Sequence, residues 1–335
     1  MSNRDLIAIG ASAGGVEALQ YLARNFPHDL QASVLVTVHL SSGSQSVLDE
    51  LLTAAGPLPA IFPSEGETLK NAHIYLAPPD RHLLIADNRI VLGTGARENH
   101  ARPAVDPMMR SIAICCGHRA IGVVLTGMLG DGASGLQAIE RCGGMTVVQD
   151  PLDALFPSMP DSALDKVIPD HQVRLADVPA LLNSLAHQPA GEPAAVPEAL
   201  KFEVEMAKGG SADINYMDRF GRRSVLTCPD CHGLMWEIEE GELIRYRCHV
   251  GHAYTAELMS VALDENLRGA LASALRALEE RVSLLQRMER KAREKGHTIV
   301  AKNWADKLAE NTRELQIIRN ALRQIDRADK ISESA

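Results

Sequence analysis

Aromatic residues are scarce in this chain, at 4% of 335 positions, so any core it builds is mostly aliphatic. No stretch reaches the roughly 18 uninterrupted apolar residues that would span a bilayer. The first residues, Met1-Ser2-Asn3-Arg4-Asp5, run into a strand-like segment and lack the apolar region of a secretory signal. Basic residues number 34 against 43 acidic ones, a formal net charge of −9. That balance argues against nucleic-acid partners and against binding to anionic membranes, since either needs a concentrated basic surface. Cysteine is limited to six, too few for a disulfide scaffold, and three of the six stand at metal-ligand spacing, which fits a reducing compartment. No internal repeat is visible. A cytoplasmic protein of two or three folded units is therefore expected, with an ordinary 46% hydrophobic and 23% charged composition.

What is present is an alternation of short apolar runs and amphipathic stretches from residue 6 to about 185. Residues 6–9, 33–40, 120–125 and Met145–Gln149 read as strands, and 16–25, 46–54, Val105–Cys116 and 135–141 as helices. Three short runs between 72 and 94, with Asp87-Asn88 as a turn, suggest an antiparallel meander. The expected fold is α/β, a doubly wound and mostly parallel sheet with an antiparallel edge. Residues 187–226 read as a linker, with prolines at 189, 193 and 197 and an unassigned polar stretch from 202 to 223. A compact Cys/His-rich module follows over 227–254. The tail, 255–335, reads as two helices around Gly296, a helical hairpin.

Gly10-Ala11-Ser12-Ala13-Gly14-Gly15 lies between the first strand and the first helix and matches Gly-x-Ser-x-Gly. In that pattern a sharp turn lifts the serine hydroxyl above the sheet, and the helix N-terminus that follows favours an oxyanion. Turns of this kind also hold phosphate. Serine replaces the second glycine of a dinucleotide fingerprint, however, and no Gly-Lys-Ser/Thr ending follows. His39 ends the second strand, and Asp131 follows the strand before Thr126. In an open parallel sheet all strand carboxyl ends share one edge, so Ser12, His39 and Asp131 can converge there as nucleophile, general base and orienting carboxylate. The plainer alternatives are a surface histidine and an aspartate capping the helix near Ala133. The order Ser, His, Asp departs from the Ser, Asp, His order of α/β-hydrolases.

Residues 7–15, Val38-His39, Arg102-Pro103-Ala104-Val105-Asp106, 125–133 and Pro157-Ser158-Met159-Pro160 together resemble the CheB-type catalytic domain, the protein-glutamate methylesterases of bacterial chemotaxis. The resemblance spans about 6–185 and assigns 1–186 as a methylesterase catalytic domain. It implies hydrolysis of glutamyl methyl esters on methylated chemoreceptors, with Ser12, His39 and Asp131 as the triad. Ala13 and Met128 would supply oxyanion N–H groups, Arg102 would belong to the substrate site, and catalysis would need no cofactor. Three features differ from the family pattern. The familiar receiver domain is not in front of the catalytic pattern, so phosphorylation in cis is not expected. Ala13 stands where threonine is common, and Leu129-Gly130 where Gly-Asn is usual.

Cys228-Pro229-Asp230-Cys231 and Cys248-His249-Val250-Gly251-His252 flank a stretch that reads as a hairpin, with Trp236-Glu237-Ile238 and Leu243-Ile244-Arg245-Tyr246 as its strands. Two knuckles on a hairpin suit tetrahedral coordination, so Cys228, Cys231, Cys248 and His252 are the expected ligands of a structural zinc. His249 is an alternative to His252, and His232 a weaker one. Competing readings of the whole chain are a receptor glutamine deamidase using the same triad, and a non-catalytic adaptor binding partners through the module and helices.

Overall fold

The computed structural model describes residues 3–39, 46–210, 214–240 and 243–332. Leu40, to which the second strand was extended from sequence, lies outside them, as does Ser41 beside it. Strand β1 (Leu6–Ala11) and strand β2 (Ser33–Val38), both mostly apolar, are buried along their whole length, as strands covered on both faces of a parallel sheet should be. Helix α1 (Gly15–Asn25) connects them, and α2 (Leu48–Ala55) leads to β3 (Ala60–Ile61) and β4 (His73–Leu76). A hairpin, β5 (His82–Ala86) and β6 (Arg89–Gly93), precedes α3 (Val105–Cys116), β7 (Ala120–Val124), α4 (Ala133–Arg141) and β8 (Met145–Gln149). Helix α5 (Ser158–Leu164), β9 (His171–Val173) and α6 (Val178–Ala186) complete this layer.

The seven-stranded sheet runs in the order β3-β4-β2-β1-β7-β8-β9, and every pair in it is parallel. The antiparallel strands β5 and β6 form a separate two-stranded ribbon, and β4 joins the parallel sheet beside β2. One aliphatic core, with Ile7, Ile9, Val34, Val36 and Leu22, lies on one face of the sheet. The other, with Ala8, Leu35, Val105, Met108 and Leu136, lies on the opposite face. Because β1 sits centrally, between β2 and β7, the carboxyl ends of these three strands form the switch point of the sheet.

The region read as a linker is built. Helix α7 (Glu198–Lys208) buries Leu200, Phe202, Val204 and Met206. Leu200 packs into the sheet's second core, while Phe202 and Met206 pack with Trp236 and Met217. A helix covered on two sides shows apolar residues at 200, 202, 204 and 206 instead of one clean stripe, and so its period is hard to see in sequence. After α8 (Ile214–Met217), strands β10 (Arg222–Thr227), β11 (Leu234–Glu240), β12 (Leu243–Cys248) and β13 (Ala253–Thr255) make a four-stranded antiparallel sheet in chain order. The module therefore starts at β10, earlier than residue 227, and residues 1–259 form one compact unit with it.

Helix α9 (Ala256–Glu294) begins in that unit, and its remainder forms a second unit with α10 (Thr298–Ser332). Gly296, with φ of 72°, makes the turn between them. Leu285, Ala292, Ala301 and Leu315 are buried in this second unit, and Arg319 pairs with Glu279 at 2.8 Å. Among the described residues, no helix is long and apolar enough to cross a membrane.

Candidate active site

Ser12 follows directly on β1, held by its own N–H to the carbonyl of Thr126 at 3.1 Å. Gly14, with φ of 73°, turns the chain into α1, a conformation that a side chain would strain. Gly127 is equally constrained: a Cβ there would stand 2.1 Å from Met159 Sδ and 2.9 Å from Ser12 Cβ. The backbone after β7 thus approaches the serine as closely as atoms permit.

His39 lies just past β2 with Nδ1 3.1 Å from Ser12 Oγ and Nε2 2.7 Å from Asp131 Oδ2. The tautomer that serves both contacts carries its proton on Nε2, which donates to Asp131 and leaves Nδ1 to accept from the serine. The imidazole is 22% exposed and the carboxylate 1%. Burial pulls the imidazole pKa down, but the hydrogen bond and charge of Asp131 outweigh it and raise the value above 6.5.

Asp131 accepts four hydrogen bonds. Besides His39, the backbone N–H groups of Val105 and Asp106 donate at 2.7 and 3.1 Å, and Asn99 Nδ2 donates at 3.0 Å. Burial disfavours its charge, yet these donors hold its pKa down at about 2. The aspartate that caps α4 is Asp106, whose Oδ1 accepts from Gly132 and Gly135 N–H at 3.0 and 2.7 Å. Asp131 instead caps the first turn of α3, so two helices exchange capping carboxylates. Burial, and then the charge of Asp131, push Asp106 up to about 7. Asn99 bridges the two carboxylates through Nδ2, 3.0 Å from each. Neither Asn99 nor Asp106 was identified as a site residue from sequence. Asp106 lay inside the Arg102–Asp106 motif, while Asn99 had only a polar turn to mark it.

Among the described residues, the N–H groups of Ala13 and Met128 have no protein acceptor, whereas those of Ser12, Gly15, Gly127 and Leu129 are all bonded. Arg102 donates to Asp80 Oδ1 and to the carbonyls of Thr94 and Gly95. Its guanidinium is thereby fixed on the wall of a cleft of about 340 Å³ shared with His39, Arg97, Asn99 and Leu129. Met128, Leu155 and Phe156 are apolar and exposed, and Leu155 packs over Gly14 at the start of α1.

In the antiparallel module, Cys228, Cys231, Cys248 and His252 bring their ligand atoms within 4.8 Å of one another. Cys231 Sγ lies 3.7 Å from Cys248 Sγ, and His252 Nδ1 3.5 Å from Cys248 Sγ. A tetrahedron with metal–sulfur bonds of about 2.3 Å has edges of this length. His252 Nε2 faces Asp230 at 3.9 Å, a placement suited to fixing a ligand's tautomer. His249 turns its ring against Gly233 and His232 is exposed, so neither belongs to the cluster. Of the other cysteines, Cys116 and Cys142 are buried, and Cys115 and Cys116 bring their sulfurs together at the end of α3.

A hydroxyl, an imidazole and a buried carboxylate on adjacent strand ends of a parallel sheet define the arrangement of a serine hydrolase of the doubly wound α/β class. The chain belongs to the CheB methylesterase family, whose model matches residues 7–182. A Leptospira interrogans protein provisionally named protein-glutamate methylesterase/protein-glutamine glutaminase is 33% identical over 180 residues, 53% of this chain and 93% of that protein. The Bordetella bronchiseptica protein-glutamate methylesterase/protein-glutamine glutaminase is 36% identical over 182 residues, 53% of this chain and 52% of that one. The crystal structure of the Thermotoga maritima CheB methylesterase catalytic domain superposes with a TM-score of 0.52 at 28% identity, covering 55% of this chain and all of that one. The chain thus spans nearly all of the Leptospira protein but about half of the Bordetella one.

Proposed function

We propose that this chain hydrolyses glutamate methyl esters on methylated chemoreceptors in the cytoplasm, through Ser12, His39 and Asp131. The reading is carried by one observation: Ser12 Oγ, His39 and Asp131 are linked by contacts of 3.1 and 2.7 Å beside the N–H groups of Ala13 and Met128, which have no acceptor among the described residues. Ser12 Oγ attacks the ester carbonyl while His39 Nδ1 takes its proton. The N–H groups of Ala13 and Met128 receive the oxyanion, an interaction worth about 100–1,000-fold in rate per donor. His39 then returns the proton to the departing methoxide, and methanol leaves. A water, activated in turn by His39, releases the glutamate and restores Ser12. Arg102 shapes the cleft from a tethered position, and the exposed Met128, Leu155 and Phe156 offer an apolar rim to a helical protein substrate.

Deamidation of receptor glutamines needs the same steps with ammonia as the leaving group, and the relatives' names carry both activities. In this reading residues 1–186 are the catalytic domain, 187–221 its connection, 222–254 a zinc module that includes β10, and 255–335 a helical tail. Three thiolates and one imidazole fill a tetrahedron, so zinc at Cys228, Cys231, Cys248 and His252 would be structural and take no part in the hydrolysis. Methanol release from methylated receptor is expected from the native chain and not from Ser12→Ala; equal release by both would refute the nucleophile. Ammonia release from unmodified receptor separates the two reactions.

A further inference from the structure

Building on the esterase reading, we propose that the Cys/His module completes the active site: its last strand, β13, holds Asn99, and Asn99 positions Asp131. Glu98 and Ala101 exchange backbone hydrogen bonds at 3.1 and 2.9 Å, and the residues between them, Asn99 and His100, have φ of 51° and 61°. Both central residues lie in the left-handed region, which asparagine tolerates and histidine adopts only at a cost. Such a turn needs support from outside itself.

The support comes from β13. Asn99 N–H donates to the carbonyl of Ala253 at 2.8 Å, and Thr255 N–H donates to Asn99 Oδ1 at 3.3 Å. The ring of Tyr254 meets that of His100 edge-on, with centroids 4.9 Å apart. The Thr255 contact decides which way the amide faces. With Oδ1 engaged by a donor, Nδ2 must point at Asp131 and Asp106, and both of its hydrogens are used. A reversed amide would set an oxygen against two carboxylates. The module therefore selects the orientation in which Asp131 gains a hydrogen bond instead of a repulsion.

The same strand is tied to the metal cluster. The Tyr254 hydroxyl donates to Asp230, which faces His252. Arg247, next to Cys248, donates to buried Glu98 at 2.9 Å, and Glu98 also pairs with Arg110 of α3. Glu203 of α7 accepts from Arg245 at 3.0 and 2.7 Å. A contiguous set of contacts thus runs from the cluster to the carboxylate that orients His39. Without a metal to join the two knuckles, β12 and β13 lose the closure that keeps Asn99 in place.

The test uses the full chain, a methylated chemoreceptor signalling fragment as substrate, elemental analysis for metal, and NMR titration of His39. Asn99→Ala is expected to lower kcat about 10–100-fold with little change in KM, the scale expected of a misplaced catalytic group. Asn99→Asp has the same size but loses both donors and adds a charge, so kcat falls at least as far. Near-native kcat in Asn99→Asp would reduce Asn99 to packing and overturn the proposal. Cys231→Ser, depleted in metal, should match the fall of Asn99→Ala, and the double variant should fall no further; independent, multiplying losses would overturn it. The His39 titration should move down in both single variants, because Asp131 no longer offsets burial as well. An unchanged titration in folded, metal-poor Cys231→Ser would also overturn the proposal. If that variant does not fold, Tyr254→Leu takes its place, keeping apolar bulk but losing the ring contact and the bond to Asp230. The NMR arm needs no substrate. Failure of the esterase reading would show separately, as no methanol from the native chain or undiminished release in Ser12→Ala, and the NMR arm then decides the proposal alone.

Discussion

His39 Nε2 and the backbone N–H of Val105 reach the same carboxylate oxygen of Asp131, each at 2.7 Å. The carboxylate that would steady the base is thus also the cap of helix α3, and its position is set by secondary structure as well as by its partner. This makes the imidazole's environment rigid and gives its titration a definite direction.

Activity should rise with pH through a value above 6.5, because the base works only when neutral and Asp131 raises its pKa. The stability contribution has the opposite slope. A raised folded-state pKa stabilises fully below the unfolded value of 6.5 and is lost as pH rises through the folded value. Parallel pH–rate and denaturant-unfolding profiles of the native chain and His39→Gln would show this, the variant lacking both limbs. An acid limb at or below 6.5 would contradict the assignment.

Asp131→Asn should reduce kcat about 10,000-fold, as loss of the orienting carboxylate does in comparable sites. The unfolding profile should change too. The native carboxyl, held at about 2, stabilises the fold above its ordinary value of 3.8 and loses that effect as pH falls from 3.8 towards 2. Acid unfolding monitored over this window should be shallower in Asp131→Asn.

Gly127→Ala should cost about 1–3 kcal/mol of stability, since its Cβ collides with Met159 and crowds Ser12. A shift of the serine by even an ångström can cost about 100-fold in rate. Thermal melting and methanol release measured on one preparation would check both effects.

Leu129 has φ of 69°, in the left-handed region, where a branched side chain is strained. The Leu129→Gly variant should gain about 0.5–1 kcal/mol, relief of strain less the added freedom of the unfolded chain. The side chain is also part of the cleft wall, so KM for the ester should change more than kcat. Melting temperature and the kcat and KM values would test this.

One zinc per chain is expected by elemental analysis, lost in Cys228→Ser. At metal concentrations 100-fold above Kd, binding contributes about 2.7 kcal/mol. Chelation should lower the melting temperature, and added zinc should restore it.

Much of this was legible in the residues themselves. The short, mostly apolar runs of β1, β2 and β7, the Gly10–Gly15 turn and the knuckles at Cys228 and Cys248 are local patterns, each set by the period or φ requirement of a few neighbours. The rule that parallel strands end on one edge was then enough to bring Ser12, His39 and Asp131 to a common place in expectation, and the geometry sets them there. Helix α7 was hidden because its two apolar faces erase the stripe that marks a surface helix. Asn99 was hidden for a different reason. Its amide acquires a meaning only when Thr255, 156 positions further on, supplies a donor to one side of it and two carboxylates wait on the other. Asp106 and Asp131 likewise exchange helix caps that neighbouring sequence would have assigned the other way. Sequence alone settled which chemical groups the chain carries and which strands present them. Tertiary packing decided their orientation, because a hydrogen bond's direction depends on every partner that a group meets, and those partners come from distant parts of the chain.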